Sequence, residues 1–127
     1  RQVASKTNLK PFRLNSRVED PTAPLEERVQ PSVEKWLRGF YDAKLVMTDS
    51  FHACVFSILF KKPFVVVANR ERGLSRIESL LGYFGLTNRI VDNTTEIADL
   101  PDIDYEAVYE KFEGMRVKSM DFLKNAL

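Results

Sequence analysis

Between Lys44 and Asn69 the chain reads KLVMTDSFHACVFSILFKKPFVVVAN, an order of residues that few architectures accommodate. Leu45 to Met47 and Phe64 to Val67 are short apolar runs without polar alternation, the pattern of parallel strands covered on both faces. A polar turn, Thr48-Asp49-Ser50, and an apolar helical stretch, Phe51 to Phe60, lie between them. Strand, helix and strand in that order make a βαβ unit with an expected right-handed crossover. Ligands of such units settle beyond the carboxyl ends of the strands, where the next helix opens and its unpaired N–H groups hold an anion. His52, the only histidine, stands at that spot.

The flanking residues supply further helices and one more strand. Ser32 is placed to cap a helix running to Asp42, in which Val33, Trp36, Leu37 and Phe40 recur at helical spacing and Gly39 weakens the run. Trp36, at that phase, reads as a core aromatic rather than a sugar platform. Beyond the second strand, Gly73 precedes a helix with Ile77, Leu80, Leu81 and Phe84 on its buried face, closed by a left-handed Gly85. Arg89 to Val91 reads as a third strand, and Asp92 to Asp104 as a loop with turn residues Asn93, Pro101 and Asp102. Asp104 caps a final helix whose stripe is Val108, Phe112, Met115, Met120 and Leu123. Residues 1–30, punctuated by Pro21 and Pro24, read as a linker or irregular segment ahead of an α/β domain at 31–127.

At 127 residues and 44% hydrophobic content the chain supports one core. Nineteen basic and eighteen acidic residues leave a net charge of +1 (19 basic, 18 acidic), so no global field recruits nucleic acid, and an anion site must be local. A single cysteine, Cys54, excludes an internal disulfide and fits a reducing compartment. No apolar run reaches the ~20 residues of a spanning helix. A soluble, cytoplasmic protein is expected. Opening on Arg1 amid polar residues, with few strand candidates before Leu45, the chain reads as the C-terminal piece of a longer protein.

Two groups of residues carry candidate chemistry. At the turn, Thr48 and Ser50 offer hydroxyls, the helix end offers partial positive charge, and His52 offers an imidazole that exchanges protons near neutrality. Either His52 serves a ligand there or it fills a polar niche. Asp49 either caps the helix or orients His52, since its charge repels an anion. The second group is Asn69, Arg70, Arg72 and Arg76, which the second strand delivers to the same rim. Arginine forks match carboxylate and phosphate; the alternative is a solvated surface paired with Glu71 and Glu78, with Arg70 the least engaged. There is no P-loop, no dinucleotide fingerprint and no Cys/His cluster for a metal. These features describe an anion-binding α/β domain and do not name a reaction.

The stretches QPSVEKWL (30–37), DAKLVMTDSFH (42–52), Lys62-Pro63-Phe64, Asn69, Glu71-Arg72-Gly73 and Arg76 closely resemble the polysaccharide pyruvyl transferase family, over about Pro24 to Arg89. The resemblance implies a Rossmann-like three-layer domain with a short parallel sheet, the C-terminal half of a GT-B-type fold, with a missing N-terminal domain as its partner. It also implies a reaction. Pyruvyl passes from phosphoenolpyruvate, the donor substrate, to a saccharide acceptor, possibly lipid-linked, and closes a ketal without cofactor or metal. The family pattern of arginine, aliphatic residue and histidine at the turn reads here as Ser50, Phe51 and His52. His52 carries over as general acid or phosphate contact, whereas the arginine is absent, so that either Arg72 or Arg76 takes its place or the donor differs. Two other readings are a nucleotide-sugar glycosyltransferase domain and a binding module without catalysis.

Overall fold

The computed structural model describes residues 7–68, 73–92 and 94–127. Its elements in chain order are α1 (Leu25–Arg28), α2 (Val33–Asp42), β1 (Val46–Thr48), α3 (Phe51–Leu59), β2 (Phe64–Val67), α4 (Leu74–Phe84), β3 (Ile90–Val91) and α5 (Tyr105–Ala126), with 3₁₀ turns at Thr87–Arg89 and Ile97–Asp99. The three strands form a parallel sheet in the order β1-β2-β3. Val46 pairs with Phe64 and Thr48 with Val66, while Val66 pairs with Ile90. The chain is therefore an α/β protein built on the expected βαβ unit.

β2 is the centre of the core. Phe64 and Val66 face Cys54 and Ile58 of α3, Ile77, Leu81 and Phe84 of α4, and Val108 of α5. Val65, which alternates to the opposite face, is 1% exposed. A central strand covered on both sides carries apolar residues at every position, which is why its run lacks alternation. β1 lies at the sheet edge, and its Met47 is 47% exposed, so the expected covering of both faces fails there.

Local chemistry sets the ends of the helices. The Ser32 side chain accepts from the Lys35 N–H at 3.3 Å and starts α2. Trp36 packs edge-on against Phe40 and Phe56, with ring centroids 4.5 and 5.0 Å away, and so joins α2 to α3. Val33, expected in the same stripe, is exposed because it opens the helix a turn before those aromatic contacts begin. Gly85, at φ +70°, closes α4 with its N–H on Gly82 and the Leu86 N–H on Leu81. Asp104 accepts from the Glu106 and Ala107 N–H groups, both at 3.1 Å, and opens α5.

Three further expectations are corrected. The third strand is Ile90–Val91 alone, because Arg89 belongs to the 3₁₀ turn after Leu86, where its N–H bonds the Leu86 carbonyl at 3.0 Å. The first strand is shifted by one residue, to Val46–Thr48. The stripe of α5 is covered only as far as Phe112; Met115, Met120 and Leu123 are 37%, 44% and 53% exposed. The 22 residues of α5 reach about 33 Å, against about 16 Å for the 11 residues of α4 on which it packs, so its second half overhangs.

Within residues 1–30, Arg17 ties the chain to itself. Its guanidinium meets Asp20 at 2.6 Å and Glu27 at 3.0 Å, and its N–H bonds the Glu27 carbonyl at 2.7 Å. Ala23 is buried inside this closure.

Candidate functional site

The carboxyl ends of β1 and β2 border a shallow depression of about 330 Å³, lined by Met47, Thr48, Asp49, Val67 and Ala68. Parallel pairing places it there: with Thr48 opposite Val66, both strands deliver their following residues to one edge. The turn then folds on itself, the Ser50 N–H donating to Thr48 Oγ1 at 3.0 Å. Ser50 takes the N-cap position of α3, yet its side chain makes no capping hydrogen bond. The early N–H groups of α3 thus receive no oxygen from the Ser50 side chain.

His52 is the second residue of α3 and is exposed. Its ring meets that of Phe51 edge-on, centroids 5.8 Å apart. Arg76, exposed in the first turn of α4, holds its guanidinium 5.7 Å from the centre of the same Phe51 ring. Arg76 also lines a groove of about 470 Å³ between α4 and α5, with Phe51, Ser75, Ser79, Tyr83 and Met115 among its walls.

The structure thus brings the sequence candidates together in two sets. Thr48 and Asp49 border the depression, with Ser50 next to them; His52 and Arg76 meet through Phe51. Asn69 and Arg72 lie outside the described residues, as do Arg70 and the turn residue Asn93. Phe51 carried no sign of its linking position in the sequence, because its contact with Arg76 joins residues 25 positions apart.

Other titratable groups fall to structural roles. Cys54 is fully buried, and burial pushes its thiol up to about 11, which leaves it protonated and inert near neutrality. Arg89 is 5% exposed, donates to the Pro101 carbonyl, and is pulled below the usual arginine range by burial. It anchors the loop before α5. Among the described residues no three His, Cys, Asp or Glu side chains gather to hold a metal ion, and no helix is long and apolar enough to cross a membrane.

The model of the family described as polysaccharide pyruvyl transferase matches residues 9–71. The match begins well before Pro24 and takes in the Arg17 closure, α1, α2, the βαβ unit and the turn. It stops short of Arg76. No curated protein and no solved structure matches the chain.

Proposed function

Through its matched segment the chain belongs to the polysaccharide pyruvyl transferase family, and from that premise we propose that it is the donor-binding part of an enzyme moving pyruvyl from phosphoenolpyruvate to a saccharide. The observation that supports this most is the exposed His52 in the first turn of α3, three residues after Asp49, which lines the depression at the ends of β1 and β2.

Forming a ketal from an enol phosphate requires a proton on the methylene carbon, support for the cationic carbon this creates, and a cradle for the departing phosphate. His52 delivers the proton, turning the methylene into a methyl group. One acceptor hydroxyl adds to the cationic carbon, the C–O bond to phosphate breaks and phosphate leaves with that hydroxyl's proton, and the second hydroxyl closes the ring and returns its proton to His52. The α3 N–H groups and Ser50 receive phosphate, with the helix end favouring its charge. Thr48 shapes the turn, and Asp49 orients the imidazole or takes a proton from an acceptor hydroxyl. Arg76, with Asn69 and Arg72, holds the carboxylate. The acceptor is a sugar of a polysaccharide or of its precursor, and a second domain presents it.

Titrating the chain and its His52→Ala variant with phosphoenolpyruvate, a nucleotide diphosphate sugar and inorganic phosphate tests the reading. A ligand at about a hundred times its dissociation constant adds about 2.7 kcal/mol of stability, a rise of several degrees in Tm for a domain of this size. The rise is expected with phosphoenolpyruvate and is diminished in the variant. A rise with the nucleotide sugar alone would replace pyruvyl transfer with glycosyl transfer.

A further inference from the structure

Phe51 stands between two side chains that arrive from different elements. His52 follows it in α3, rings edge-on at 5.8 Å, and the Arg76 guanidinium comes from α4 to 5.7 Å over its face. Arg76 forms no ion pair among the described residues. An exposed arginine side chain samples many rotamers, and each anion it binds must first freeze them. The π face of Phe51 removes part of that freedom in advance. The ring itself is fixed, being packed against the core cluster from the first position of α3.

We propose that Phe51 is a positioning residue, which sets Arg76 beside His52 so that guanidinium and imidazole meet one anionic substrate together. The proposal rests on the donor reading above. Phe51 touches no reacting atom; it acts by keeping the two groups in a fixed relation across two helices. Leucine at this position retains apolar packing and loses the face that holds the cation. Tyrosine retains both.

The test compares phosphoenolpyruvate affinity of the chain with that of Phe51→Leu, Phe51→Tyr, Arg76→Gln and the Phe51→Leu/Arg76→Gln double variant, with unfolding midpoints recorded for each. Phe51→Leu is expected to weaken binding about two- to fivefold, the span of an exposed cation–π contact. Phe51→Tyr keeps wild-type affinity, and in the Arg76→Gln background Phe51→Leu has no further effect. Equal weakening with and without Arg76 would overturn the proposal, since the ring would then be acting on the fold. So would unchanged affinity in Phe51→Leu. A readout free of ligand accompanies these: the Arg76 δ-methylene protons are shielded by the ring in the wild type and in Phe51→Tyr, and lose that shift in Phe51→Leu. Absence of shielding in the wild type refutes the contact even where phosphoenolpyruvate binds. Shielding without any phosphoenolpyruvate binding overturns the proposal through its premise, the donor reading.

Discussion

Leu14 seats its side chain over Gly39 of α2, so close that a Cβ added to the glycine would stand 2.9 Å from Leu14 Cγ. The segment ahead of α1 is thereby docked on the domain by one apolar side chain and one missing methyl. Two effects oppose each other in Gly39→Ala. Helix propensity favours alanine by about 1 kcal/mol, while forcing a methyl into an occupied space costs about 1–3 kcal/mol. The second is expected to win, so the variant unfolds at lower urea. In a double-mutant cycle, Leu14→Ala with Gly39→Ala costs less than the sum of the two single changes, with coupling of about 0.5 kcal/mol or more. Strict additivity would show that Leu14 does not dock there.

Two tyrosines of α5 serve the carboxyl end of α3. The Tyr109 hydroxyl donates to the Leu59 carbonyl at 2.7 Å, and the Tyr105 hydroxyl donates to the carbonyl of Lys62 and lies 3.3 Å from that of Ser57. The Leu59 carbonyl ends α3 and lacks a partner within the helix, so the Tyr109 hydroxyl satisfies a group that otherwise needs water, and Tyr105 does the same for the Lys62 carbonyl just beyond. Tyr109→Phe is expected to cost about 1 kcal/mol in urea unfolding, the net worth of a typical hydrogen bond. Tyr105→Phe costs more, up to about 3 kcal/mol, because its hydrogen bond to the Lys62 carbonyl is part-buried whereas that of Tyr109 to Leu59 is exposed.

Features set by neighbours in sequence were legible, and features set by distant contacts were not. Ser32, Gly85 and Asp104 announced their helix ends because a cap involves residues within a turn. The strand Phe64–Val67, buried up to Val66, announced itself by four apolar residues between a proline-led turn and a polar loop. Lys61 gave no such notice. It takes the left-handed conformation, φ +52°, and closes α3 with its N–H on Ile58 and the Lys62 N–H on Ser57, as Gly85 does for α4. A tertiary contact compensates the strain: its ammonium lies 4.3 Å from the centre of the Tyr109 ring. Of the candidate site, the turn and His52 were readable because strand, polar turn and helix are consecutive. The Phe51–Arg76 contact was not, because it depends on how α3 and α4 lie together.

The overhang of α5 separates covered from uncovered residues of one continuous stripe. Phe112 is half-buried against the core cluster, whereas Leu123 of the same stripe is 53% exposed and Phe122 beside it 73%. Phe112→Ala is expected to destabilise by about 2–4 kcal/mol. Phe122→Ser and Leu123→Ser shift the stability of this chain by no more than about 0.5 kcal/mol. Urea midpoints of the three variants decide the matter: a large loss from Phe122→Ser would mean that the second half of α5 packs on the domain.

Alkaline pH gives a prediction from the core itself. The Cys54 thiol, ordinarily near 9.0, is pushed up to about 11 by burial. Below about pH 9 folded and unfolded chains both keep the proton, and this group leaves stability unchanged. Between about 9 and about 11 the unfolded chain gives up its proton and the folded one does not, so the folded state binds more protons and stability falls as pH rises. Two pKa units correspond to about 3 kcal/mol at most. Tyr105, held above its ordinary value by burial, acts in the same sense at higher pH. Urea midpoints across this window are expected to fall more steeply for the wild type than for Cys54→Ala, and the difference in slope isolates the thiol from lysine and tyrosine titration. A disulfide reagent at neutral pH is expected to label Cys54 only as fast as the core opens, with labelling accelerated by urea. Labelling at the rate of a free thiol, or equal slopes in the two proteins, would place Cys54 at the surface and dissolve the core assigned to α3 and β2.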